Sequence, residues 1–403
     1  MDHPAIDYSN ALLQHPVDDP VARLQRRIDG GEVKLAFDPN HGGYLPALLK
    51  ALQMNADSQV LVFSKTSFQS PKISPKAPRA LYFNDTVQMG FVHGSDVMEF
   101  AALDPQQGVI FYTLDNKNES KPAYFDRPSF FRRTDECLAC HLIPGTLNIP
   151  GLMISSVIPT PQGSPRFPGA GLIVDSRTPI QDRWGGWYVT GTTGTTLHRG
   201  NAVAPYPDRP EMLELRGTQN LTSLATRFDT STYLAPTSDI VALMTLEHQV
   251  RAANLITRIN WEVRMVLLEN DQNQSLLAEF QPRLDFLTTE LANYMLFAGE
   301  AKIYEPIAGV STFTRTFPQQ GPRDSQGRSL RDFDLTKRLF RYPLSFMIYS
   351  EAFDALPDLA KQQIYRKLFT ALTLESTTEN QATLAILRET KPNLPGYWSA
   401  QAR

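Results

Sequence analysis

At Ser238 the hydrophobic pattern of this chain changes period, so one regular architecture cannot serve both halves. Before it, short runs rich in Val, Phe and Tyr are separated by turn signals such as Asn84-Asp85 and Gly94-Ser95-Asp96. They predict strands at Gln59–Ser64, Arg79–Asn84, Thr86–His93, Val97–Leu103 and Val109–Leu114, joined as an antiparallel meander. Shorter strands are expected at Leu152–Ile158, Leu172–Val174 and Trp187–Gly191, between long ordered loops rich in Pro, Gly and Thr. Beyond Ser238 the spacing becomes helical. A long helix is predicted over Asp239–Glu269, capped by Ser238 or Thr237. Leu243, Leu246, Val250, Ala253, Ile256 and Leu267 fall on its apolar face, and Glu247, Arg251, Asn254, Arg258 and Glu262 on a polar one. Helices at Leu276–Phe297, Leu344–Phe353, Asp358–Leu374 and Thr378–Arg388 follow.

The fold class expected is therefore α+β, with a β-rich N-terminal half and a mostly helical C-terminal half. The organisation predicted is an irregular N-terminal arm (1–30), a β-rich domain (31–237) and a helical domain packed against it (238–403). Just after the arm, a strand is expected at Val33–Phe37. A turn from Asp38 to Gly43 leads into a helix near Leu45–Met54, where Pro46 suits the first turn.

Composition narrows the function. A net charge of −3 argues against nucleic acid or an anionic membrane as the main partner, since both reward a basic face. No stretch reaches the roughly 18 uninterrupted apolar residues of a membrane span. Only 2 cysteines occur, which excludes a disulfide framework and a four-cysteine metal site. Those two lie three residues apart, in Cys137-Leu138-Ala139-Cys140-His141.

This pentapeptide matches C-x-x-C-H, the attachment signature of c-type haem. Two thiols separated by one helical turn reach adjacent vinyl groups on one porphyrin edge, and the next imidazole reaches the iron. Random placement would give such a match on the order of 1 in 10,000 times. A thioredoxin-type redox pair would need a βαβ context, which is missing. A zinc site would need two further ligands from scattered histidines.

On these five residues the chain resembles the c-type cytochromes. The resemblance implies one covalent haem c on Cys137 and Cys140, with His141 as proximal iron ligand, carried on a loop of the β-rich half. The activity expected from it is single-electron transfer with a redox partner protein. The alternative is a haem enzyme or sensor, peroxidase-like or small-ligand binding, with an exchangeable distal site. A third reading makes the chain a structural or interaction protein with an accessory haem. Since c-type haem is normally attached outside the cytoplasm, a periplasmic or extracellular location is expected. The polar Met1–Asn10 segment then implies a signal already removed.

The sixth ligand divides these readings. His198, in a Gly/Thr-rich loop beside Arg199, is the first candidate for distal ligand or pocket residue. His248 on the long helix and Met153, twelve residues beyond His141, are alternatives. His41 and His93 sit at turns, where a capping role competes with ligation. Arg132 and Arg133 are candidate contacts to haem propionates. Trp184, Trp187 and Tyr188 are candidate porphyrin-packing aromatics, or plain core. The charged Gly321–Arg331 segment reads as a solvated connection or a partner-docking surface. Asp332 and Asp334 form a carboxylate pair expected to be solvated.

Overall fold

The computed structural model describes residues 3–5, 15–117, 131–167, 169, 171–206, 208–209, 211–270 and 275–399. Strands β1 (Val60–Val62), β2 (Arg79–Phe83), β3 (Val87–Val92), β4 (Val97–Asp104), β5 (Gly108–Asp115) and β6 (Arg132–Arg133) form a consecutive antiparallel meander. A hairpin of β7 (Ile154–Ser156) and β8 (Leu172–Val174) follows, and β9 (Trp187–Tyr188) closes the large sheet beside β1.

Side chains alternate across a strand, so each strand feeds both sides of the sheet. Leu61, Tyr82, Met89, Phe100 and Tyr112 bury one face together with α1 (Pro20–Asp29) and α2 (Leu45–Ala51). Val60, Phe83, Leu103, Val109 and Phe111 bury the other, in a core that continues without a break into the C-terminal helices. After the four-residue turn α3 (Leu138–His141), those helices are α4 (Ile240–Asn270), α5 (Leu276–Met295), α6 (Phe313–Gln319), α7 (Glu351–Asp354), α8 (Asp358–Leu374) and α9 (Thr378–Thr390). The α+β architecture and the meander are as the sequence predicts.

Helix α4, about 46 Å long, is the spine of the second half. Its expected polar face is not solvated. Glu247, Asn254 and Arg258 are at most 2 % exposed and Arg251 and Glu262 are part-buried, whereas Leu267, assigned to the apolar face, is 37 % exposed. The helix is enclosed along most of its length, so its buried polar groups need partners within the protein. Its N-cap also differs: Asp239 Oδ1 accepts from the backbone N–H of Val241 at 2.8 Å. Ser238 is otherwise engaged, accepting from Leu61 N and donating to Tyr188 O.

Several local expectations are corrected. The 1–30 arm contains helix α1, capped by the buried Asp19, which accepts from Val21 N and Ala22 N. Only Val21 and Leu24 of its ten residues are fully buried, too few to mark a period. Val33–Phe37 forms no strand and leads into the bridge between Asp38 and Gly43. Just before the cysteines the chain forms the two-residue strand β6. Leu344–Phe353 is not one helix: a 3-10 turn (Phe346–Tyr349) ends where Ser350 caps α7. The Gly321–Arg331 segment is not fully solvated, although Pro322, Arg323 and Ser325 to Gly327 are exposed. Leu330 is fully buried, and the Arg331 guanidinium lies 4.6 Å from the ring centroids of both Phe317 and Phe346. Asp332 accepts from Ser329 N and Arg323, and Asp334 from Thr336 N and Lys337 N, so both carboxylates organise local turns.

Among the described residues no helix is long and apolar enough to cross a membrane.

Candidate functional site

The turn α3 is wound as the thiol spacing demands. Cys140 N and His141 N both donate to Cys137 O, at 3.1 and 2.9 Å. This brings the two cysteines onto one turn, Cys137 half-buried against the core and Cys140 exposed. The thiols are free. Burial pushes the Cys137 thiol up to about 11, and the Glu99 and Glu136 carboxylates push in the same direction. A dithiol catalyst needs the opposite, a stabilised thiolate.

The imidazole of His141 is held from behind. Its Nδ1 lies 2.9 Å from the carbonyl oxygen of Gly151, which can only accept, so Nδ1 carries the proton and Nε2 keeps its lone pair. Gly151 N returns a bond to His141 O at 3.0 Å. Burial lowers the imidazole's affinity for a second proton; the Gly151 carbonyl opposes this, Arg79 adds to it and Glu99 opposes it. The ring packs against Phe111 of β5 at a centroid distance of 4.9 Å. A neutral imidazole with one nitrogen tied to a carbonyl and the other free is the form in which histidine binds a metal.

Helix α4 holds the loop that does this. Asn254 donates to Leu152 O at 2.7 Å and accepts from Leu152 N at 3.2 Å. Arg258 donates to Leu147 O at 3.0 Å. Within the loop, Thr146 Oγ1 lies within 3.2 Å of the carbonyls of His141, Ile143 and Ile149 and accepts from Ile143 N. Gly151 is required by this packing, because a Cβ there would sit 2.5 Å from Asn254 Oδ1. Two buried polar residues of α4, Asn254 and Arg258, thus find partners in the backbone of the segment after His141.

These residues fit a c-type haem. The thiol spacing, the tautomer of His141 and the apolar surroundings suit it, with Leu138, Ile143, Leu152 and Met153 part-buried and Leu172 and Ile173 44 % and 37 % exposed. Arg79 Nε, close enough for its charge to act on His141, is a buried donor without a protein partner. Compared with known proteins, this chain matches no family model, no curated protein and no solved structure. Among the described residues no group of three or more His, Cys, Asp or Glu side chains is arranged to hold a bare metal ion.

The other predicted site residues are dispersed. His198 is 2 % exposed, edge-on to Trp184 at 5.2 Å, with Nδ1 accepting from Gly200 N; burial lowers it to about 4. His248 is fully buried, stacked on Tyr294 at 5.1 Å, 2.7 Å from Ser345 Oγ and lowered to about 3 by burial. Met153 Sδ lies near the loop after His141, within 3.4 Å of a Cβ placed on Gly145. It follows Gly151 by two residues in the chain. His41 is bonded to Asp38 at 2.8 Å within its turn, and His93 is exposed at the end of β3.

Arg132 lies on the sheet face that carries Phe111 and is paired with Asp115, while Arg133 faces the opposite side, 3.8 Å from Asp135. Trp184, Trp187 and Tyr188 are core residues, Trp187 donating to Ser155 O and Tyr188 to Pro75 O.

Sequence reasoning missed Gly151, Thr146, Asn254, Arg79 and Glu99. The one available signal was the four-residue spacing of Asn254 and Arg258 on a helix read as solvated on that side. His3 was also missed; its Nε2 donates to Glu290 at 2.8 Å, and its carbonyl accepts from Asn148 in the loop after His141.

Proposed function

We propose that this chain is a monohaem c-type cytochrome of the periplasm or cell exterior. Its haem would be bonded to Cys137 and Cys140 with His141 as proximal ligand, and it would exchange single electrons with a redox partner. The observation that carries the reading is the hydrogen bond from His141 Nδ1 to Gly151 O within a C-x-x-C-H turn. It supports a ligand poised in one tautomer and one orientation, with basicity at Nε2 strengthened by the acceptor behind it.

When bound, the haem supplies an iron that changes oxidation state by one electron. The chain's own residues orient and insulate it. Gly151 draws on the Nδ1 proton, Asn254 and Arg258 fix the backbone behind the ligand, and Phe111 covers one side of the ring.

A second reading, a haem enzyme or sensor with an exchangeable distal position, is favoured by the commitments of the predicted sixth ligands. His198 and His248 are buried in other packing environments, and Met153 Sδ lies beside Gly145. Reduced-minus-oxidised spectra with and without carbon monoxide or cyanide separate the two. An inert iron supports the carrier, and rapid ligand binding supports the enzyme or sensor. Unchanged spectra in His198, His248 and Met153 variants would remove all three from the ligand list.

A further inference from the structure

On the sheet face that meets the haem turn, alternate residues of four strands form one surface. They are Arg79 and Leu81 of β2, Gln88 and Gly90 of β3, Glu99 and Ala101 of β4, and Phe111 and Thr113 of β5. Register places Ala101 opposite Phe111, whose ring contacts His141, and Glu99 opposite Thr113 and Gly90. Toward this end the face is only partly covered. Arg79, Leu81, Gln88, Glu99 and Thr113 are part-buried, while the residues behind them on the other face are fully buried.

Glu99 is held in one position there. Its Oε1 accepts from Ser67 Oγ at 3.0 Å and its Oε2 from Arg79 Nη1 at 2.7 Å. Gly90 leaves the space that the carboxylate occupies, since a Cβ there would lie 3.2 Å from Oε2. The pair is largely shielded, with side chains 19 % and 16 % exposed. Arg79 Nε remains a buried donor with no protein partner. An ion pair largely shielded from water is weakly screened, so each charge acts on its surroundings at short range.

We propose that the Arg79–Glu99 pair sets the reduction potential of the haem, with Glu99 stabilising the oxidised iron and Arg79 the reduced one. The inference rests on the haem reading above. Oxidation adds one positive charge to the iron centre, so a fixed carboxylate lowers the potential and a fixed guanidinium raises it. Arg79 and Glu99 are positioning and electrostatic residues, neither of them ligands.

The test is potentiometric titration of the haem-loaded protein and of the near-isosteric variants Glu99→Gln and Arg79→Met, with covalent pigment and thermal unfolding measured on each. The expected result is a raised potential in Glu99→Gln, a lowered one in Arg79→Met, and a smaller net shift in the double variant. Shifts of the same sign, or none, in variants that carry covalent haem and stay folded would overturn the proposal and leave the haem reading standing. A parent without covalent pigment would overturn both. Should Arg79→Met fail to fold, Glu99→Gln and Ser67→Ala keep the question open to decision. Freeing Oε1 in Ser67→Ala leaves both charges in place and is expected to shift the potential much less than Glu99→Gln; an equal shift would count against a charge effect.

Discussion

Asn254, buried in the middle of α4, grips both the N–H and the C=O of Leu152, the residue next to the carbonyl that holds His141. One side-chain amide thus replaces a strand partner for the chain behind the ligand. In Asn254→Leu, which has similar volume, both backbone groups of Leu152 lose their partner. Leaving two such groups unsatisfied costs about 2–4 kcal/mol, read as a lower denaturant midpoint. Gly151→Ala drives a Cβ to within 2.5 Å of Asn254 Oδ1 and is expected to lower the yield of haem-loaded protein. Wild-type stability in Asn254→Leu would remove the helix from the account of the site.

The two cysteines should differ in the haem-free protein. Cys140 is exposed, whereas Cys137 is half-buried and its thiol is pushed up to about 11. Alkylation at pH 8, followed by peptide mass spectrometry, is expected to label Cys140 well before Cys137. Fast labelling of Cys137 at pH 7 would indicate a stabilised thiolate and favour a dithiol redox site.

His248 predicts an acid-sensitive core. Its ordinary value of 6.5 falls to about 3 in the folded protein, because burial among Tyr294, Phe297, Phe340 and Phe346 disfavours the cation while Asp175 opposes weakly. The unfolded chain therefore takes up a proton first. The stabilisation is complete above pH 6.5 and declines as pH falls toward about 3. Unfolding free energy against pH should fall less steeply in His248→Gln across that window. Glu247, raised to about 7 by burial with Arg183 opposing, acts in the reverse sense but is common to both proteins. Parallel profiles would contradict a buried neutral imidazole.

Arg331 anchors the charged Gly321–Arg331 segment to the core. Its guanidinium is sandwiched between Phe317 and Phe346 and paired with Asp85, which remains 34 % exposed. Arg331→Met keeps most of the packing but removes the cation, with an expected loss of about 2–4 kcal/mol, mostly from the desolvated cation–π contacts. Thermal or denaturant unfolding measures it. A change within about 0.5 kcal/mol, typical of surface positions, would return the segment to the solvent.

The strands from β2 to β5 were legible because their alternation serves two buried faces, and α8 because its apolar period is regular. Helix α4 was found, but its faces were misread. Glu247, Asn254 and Arg258 look solvated by residue type, and only the fold supplies the Arg183 side chain and the Leu152 and Leu147 backbone that they bind. The same limit applies to the site. Cys137, Cys140 and His141 announce themselves by spacing within five residues. Arg79 and Glu99 reach them only through strand register, which no local pattern encodes. His198 attracted attention through its polar loop, and its burial against Trp184 is a tertiary fact.

The central claim is tested most directly by maturing the protein alongside the cytochrome c assembly machinery, extracting it with acid–acetone and weighing the intact chain. The account predicts that pigment stays with the polypeptide, that its mass rises by one haem, and that Cys137→Ala/Cys140→Ala retains none. A colourless extracted chain of bare polypeptide mass, from cells that mature other c-type cytochromes normally, would contradict it.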